Sequence, residues 1–290
     1  MMPSDYRELN TLTGSLTTMI TLECAVDYQN TNQENIIIEG VELNGGRGQW
    51  NEVVLGKDVM GGSGNFDNTA GDGTHSGKGI NARTAYGNLT NFKLIKCKIG
   101  STYAEGAYSN KAKDSYVEDC IFDYNRPAGG NLSGSVTYKQ CVFSRTYSFS
   151  IEHAHSNELN YMKVIDCDFY DLDNKTGYHI GSGYNTPNVP GSKLEVINNN
   201  FHYKHPEVTD RYCGCVASSG YETCIIKGND MLQKTSEGQG IGHLRLDNMQ
   251  NIHIIDNDIN QDGSPSYWLD NSTRVNGNYT IERNVRKIIS

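Results

Sequence analysis

Two glutamates and a histidine offer the clearest chemistry in this chain. Glu105 opens the stretch Glu105-Gly106-Ala107-Tyr108, Glu152 closes Phe149-Ser150-Ile151-Glu152, and His179 lies within Tyr178-His179-Ile180-Gly181. Each stretch is short, mixes apolar with polar residues, and reads as a strand of one recurring kind. With Ile151 directed inward, alternation turns Glu152 outward, and on the next strand His179 is expected to do the same beside Ile180. Neighbouring parallel strands lie about 5 Å apart, close enough for a carboxylate and an imidazole to orient a water or a proton between them. Glu105 stands two strands before Glu152, on the order of 10 Å away. Inverting glycosidases hold their acid and base roughly 6.5–9.5 Å apart with a water between them. Glu105, Glu152 and His179 are therefore the expected catalytic group. The same three residues are also compatible with solvated polar groups on an outer sheet.

A binding set follows from the same strands. Arg83, Tyr108, Tyr178 and Tyr212 fall on or beside the earlier ones, and His243, Arg245, Trp268 and Asp270 on the later ones. The tyrosines and Trp268 suit stacking on sugar rings. Arg245 and Asp270 occupy neighbouring strands and are expected to pair, and Asp270 is too far along to join the catalytic residues. No metal or other cofactor is implied. His153 and His155 are two apart, but alternation sends His153 inward and no third ligand stands near. The glycine-rich run 61–67 resembles a calcium-binding nonapeptide only once, with its Asp one place late, and Asp258-Ile259-Asn260 opens like an EF-hand loop whose twelfth residue is Leu269. No phosphate loop, nucleophile elbow or dinucleotide fingerprint occurs.

What must position these residues is a repeat. Apolar residues recur five and three places before an anchor, at the anchor, and two places after it. The anchors are Val41, Cys97, Cys120, Cys141, Cys167, Asn199, Asn229, Asn257 and Asn284, and from Cys97 they step by 23, 21, 26, 32, 30, 28 and 27 residues. Self-similarity at such a period signals a solenoid. The internal period of two, the Val, Ile, Phe and Tyr content and the bounding Asn, Asp and Gly make its elements strands. Connections too long for hairpins require equivalent strands to stack in parallel. Anchors then form an interior ladder of thiols followed by amides, with the thiols reduced and acting as small buried hydrophobes. The 56 residues between Val41 and Cys97 amount to about two further turns, with strands expected at Val53-Val54-Leu55 and Ile80-Asn81. The expected fold is all-β, a right-handed parallel β-helix solenoid of about ten rungs over residues 35–290, preceded by a cap and irregular first turn over 1–34.

Over about residues 35–285 this pattern resembles the pectate-lyase-like β-helix superfamily. That family's calcium with a Lys or Arg base finds no matching constellation here. The formal charge of −9 makes a nucleic-acid backbone an unsuitable partner, and no window is apolar enough for membrane insertion. No secretion signal is seen, and the last repeat stops nearly on its strand, which points to cover by other subunits or a further domain. Taken together these features resemble bacteriophage tailspikes and tail appendages. That resemblance implies a homotrimer or a link to further domains, a virion-tail or extracellular location, and a bacterial surface polysaccharide or teichoic acid as partner. The expected function is binding and hydrolytic depolymerisation of that glycan in a groove beside the variable loops. A non-catalytic glycan-binding or structural β-helix is one alternative, and a polysaccharide lyase or epimerase is another.

Overall fold

The computed structural model describes residues 20–21, 33–44, 79–81, 89–100, 102, 105–125, 128–153, 160–170, 172, 176–182, 188–202, 212–232, 242–261 and 275–288. Among these residues the chain is all strand and corner, without a helix. The strands curl into a 17-stranded and a 9-stranded sheet. Pairing is parallel and joins each strand to its counterpart one circuit, or turn, along the chain. This arrangement is consistent with the parallel β-solenoid expected from the repeat.

Register follows the apolar template. Five places before the anchors, Val136, Met162, Leu194, Cys224 and Ile252 lie over one another, and three places before them Tyr138, Val164, Val196, Ile226 and Ile254 do so. Two places after them, Leu43, Ile99, Phe122, Phe143, Phe169, Phe201, Met231 and Ile259 form a third column. All are buried. The four phenylalanines stack nearly parallel with centroids 5.0, 5.1 and 4.7 Å apart. That spacing is the strand spacing itself, so offset stacking costs the backbone nothing.

The anchors occupy the interior as a ladder. Cys167 N donates to Asn199 Oδ1, Asn199 N to Asn229 Oδ1, Asn229 N to Asn257 Oδ1 and Asn257 N to Asn284 Oδ1, each at 2.9 Å. Each amide also reaches back, as Asn229 Nδ2 does to Val196 O at 3.0 Å. The thiols copy the pattern more weakly: Cys97 N meets Cys120 Sγ at 3.4 Å, and Cys120 Sγ meets Leu94 O at 3.4 Å. The described cysteines are buried and free of disulfides.

The residue before each anchor turns the corner between the two sheets. It has positive φ whether it is Lys96, Asp119, Gln140, Asp166, Asn198, Asp256 or Arg283, or a glycine at 40 and 228. A left-handed non-glycine costs roughly 1–2 kcal/mol. The corner amide offsets this by bonding the next turn, as Asp119 N does to Lys139 O and Gln140 N to Ile165 O, both at 3.0 Å.

One expectation about the early chain changes. Ile37–Glu39 pairs directly with Lys93–Ile95, and Glu42–Asn44 with Lys98–Gly100. The turns of Val41 and Cys97 are therefore adjacent, and no extra turn lies between them. The column after the anchors holds nine strands. Ile20–Thr21 pairs in parallel with Ile80–Asn81, where a strand was expected. The remainder of the expected cap, the strand at Val53-Val54-Leu55 and the glycine-rich run 61–67 lie outside the described residues.

Candidate active site

The expected catalytic residues lie on the face built from Ala107–Glu118, Ala128–Lys139, Phe149–His153, Thr176–Ser182, Tyr212–Ser219 and Leu244–Asp247. Simple alternation fails there at one place. Ser150 and Ile151 are consecutive and both fully buried, while Phe149 and Glu152 on either side are only half-buried. Ser150 Oγ bonds Thr146 Oγ1 at 3.1 Å and His179 Nδ1 at 2.9 Å, whereas Ile151 joins the apolar core. The chain thus turns a corner with two side chains inside it.

This corner corrects the placement of two histidines. His179 is equivalent to Ser150, not to Glu152; it is 0 % exposed, with its ring 5.5 Å from Phe169 and 5.8 Å from Phe201. The register partner of Glu152 is Gly181. His179 therefore cannot orient a water for Glu152. His243 is likewise fully buried, 3.6 Å through Nδ1 from Cys215 Sγ, and does not face a groove. Tyr178 points outward but is 3 % exposed, covered in a small cluster with Ala217 and Phe149, which removes it as a stacking surface. His153 is inward as alternation required, bonded to Tyr221 Oη at 2.6 Å. Among the described residues no three His, Cys, Asp or Glu side chains converge as metal ligands.

Glu105 stands level with Ala128 and Phe149, three places before the column of Glu152, and its charge reaches Glu152. The outward column runs Tyr108, Asn131, Glu152, Gly181, Ala217, Arg245 along successive turns. Tyr108 is half-buried within it. Arg245 is partly exposed, with Nε 3.4 Å from Asp247 Oδ2. Glu105 precedes Ala107–Glu118 and is 9 % exposed. Glu152 accepts a hydrogen bond from Asn131 Nδ2 at 3.2 Å. Its carboxyl is raised from 4.5 to about 7, first by burial and second by the charge of Glu105. Phe149 lies across Gly181, the register partner of Glu152, where a Cβ would come within 2.2 Å of its ring. Glycine is required there, and the ring sits one strand from Glu152. Arg83, Trp268, Asp270 and the side chain of Tyr212 lie outside the described residues, and so does any Arg245–Asp270 pair.

Asn131 and Phe149 were not among the expected site residues. Asn131 belongs to a strand that the apolar pattern hides, because Gly129-Gly130 stands where other turns carry larger residues. The cause lies across the coil: a Cβ at Gly130 would meet Tyr138 Oη at 2.7 Å, so the tyrosine ring fills the space. A glycine pair on the turn between two glutamate-bearing turns was the available signal.

No protein-family model matches the chain, and neither does any curated protein or solved structure. The described residues contain no helix long and apolar enough to cross a membrane.

Proposed function

We propose that the chain is a right-handed parallel β-helix that binds and hydrolyses a bacterial surface polysaccharide or teichoic acid, in the manner of a tailspike. The hand rests on the general preference of parallel crossover connections. The observation that carries the chemistry is the carboxyl of Glu152, lifted to about 7 by burial and by the charge of Glu105. A carboxyl with that value keeps a proton near neutral pH and suits a general acid toward a glycosidic oxygen. Glu105, two turns away, supplies the second carboxylate, which would draw a proton from the attacking water. His179 has no part in this scheme.

The test is incubation with capsule, O-antigen and teichoic-acid preparations while counting new reducing ends. Glu152→Gln should lower the rate by about 10²–10⁴-fold, the usual share of general acid–base catalysis. Wild-type activity should fall as pH rises through about 7, where Glu152 loses its proton. An unsaturated uronate product would instead mean elimination and would overturn hydrolysis. A second reading, glycan binding without cleavage, draws on the half-buried Phe149 and Tyr108 on this face. Retention of labelled glycan with no new reducing ends would decide for it.

A further inference from the structure

We propose that Asn131 reads a hydroxyl group of an uncharged sugar held between Glu105 and Glu152. The inference rests on the glycan reading given above and goes beyond it by naming the substrate class and the residue that selects it. Asn131 sits on the turn between those bearing the two carboxyls, in register with Tyr108 on one side and next to Gly130, the partner of Ile151, on the other. It is 5 % exposed. Its Nδ2 is committed to Glu152 Oε2 at 3.2 Å. Its Oδ1 is buried and accepts no hydrogen bond from any described residue, and the same holds for Ser133 Oγ two residues further along the strand.

Native interiors seldom leave such atoms unmatched, because a buried polar atom without a partner has given up its hydration for nothing in return. Two of them on one strand, one of them beside a carboxyl, call for a group that arrives with the ligand. Its chemistry follows from the amide. With Glu152 charged, Nδ2 faces the carboxylate and an acceptor is left over. With Glu152 protonated, the acid hydrogen can bond Oδ1 and a donor is left over. A hydroxyl serves either arrangement, since it both gives and takes a hydrogen bond. A carboxylate or phosphate substituent serves only the second. The structure thus favours a neutral, hydroxyl-bearing ring at the point of cleavage.

The test compares full-length wild type with Asn131→Leu, which is close in volume and apolar, on purified neutral polysaccharides with a polyuronate as the anionic control. The expected result is a fall of at least tenfold in kcat/KM on the neutral substrate with little change in melting temperature, because removing the unmatched Oδ1 offsets the lost bond from Nδ2 to Glu152. A merely structural asparagine would lose melting temperature along with activity, and that result would overturn the proposal. So would unchanged kcat/KM, or preferential cleavage of the polyuronate. A second comparison removes the bond to a charged Glu152: labelled neutral oligosaccharide is titrated onto Glu152→Gln and onto Glu152→Gln/Asn131→Leu. At least tenfold weaker binding by the double variant upholds the role of Asn131 even where wild type releases no reducing ends, an outcome that would sink hydrolysis alone. Equal binding by the two variants sinks the role of Asn131 and leaves hydrolysis standing. Absence of both binding and cleavage across the panel overturns both readings.

Discussion

At position 152 a carboxyl has a carboxamide on one neighbouring turn and, two turns away, a second carboxyl whose charge acts on it. The consequence for stability has a definite sign. The folded-state value of about 7 lies above the ordinary value of 4.5, so the fold favours the protonated form. Below about pH 4.5 both folded and unfolded chains carry the proton and nothing is lost. Stability declines as pH rises toward about 7 and is level beyond, with a total loss of at most about 3 kcal/mol. Glu152→Gln should therefore be more stable than wild type at pH 8 by up to that amount and equal to it at pH 4. Urea titrations at the two values check this, and equal stability at both would show that the carboxyl is not strained. Sequence could read Glu152 as less buried than its neighbour Ile151, because a place beside one buried aliphatic residue is a local property. It could not place His179, since alternation counted from Ile180 assumes an unbroken strand, and the chain bends between 150 and 151 and at the equivalent place in each later turn.

Among elements, the anchor ladder is where sequence and structure agree most closely. The reason is physical: an inward column with one residue per turn needs the same small polar or thiol group each time, so the requirement is written as a repeat. Asn229 shows what the ladder does. Its Oδ1 receives Asn199 N at 2.9 Å and Asn199 Nδ2 at 3.0 Å, and its Nδ2 donates to Val196 O at 3.0 Å and Asn257 Oδ1 at 2.9 Å. Asn229→Ala leaves buried donors and acceptors on both neighbouring turns without partners, and should cost roughly 3 kcal/mol or more. Asn229→Cys should cost clearly less, because the thiols of this chain already accept from the preceding anchor's backbone. Chemical denaturation of the two variants orders them, and a cysteine as damaging as alanine would mean the thiol half of the ladder contributes packing alone. The strand Ala128–Lys139 was harder to foresee. Its Gly129-Gly130 breaks the apolar pattern because a Cβ at Gly129 would meet Phe122, Phe143 and Ser150 O, and one at Gly130 would meet Tyr138, neighbours that come partly from other turns.

Over the whole molecule, nine stacked strands after the anchors share one interior that is apolar and rich in sulfur. Burial raises the Cys141, Cys215 and Cys224 thiols and so keeps them out of the reactive thiolate form. The described cysteines should accordingly be silent toward a thiol reagent in the native protein and react together on unfolding. Reductant should leave the melting temperature where it is, and a drop on reduction would reveal a cross-link. The overall architecture was legible because its period is carried by many turns at once. The 56 residues from Val41 to Cys97 misled because their length suggested two circuits, whereas register shows the flanking turns in direct contact. One property of the corner residues reaches furthest. Because each left-handed bend hands its amide to the next circuit in the same sense, the coil is modular in the way of a ratchet. Extra polypeptide is tolerated between clicks, as the 56-residue interval demonstrates, while a shift of even one place at a click would set every amide and thiol of the column out of step.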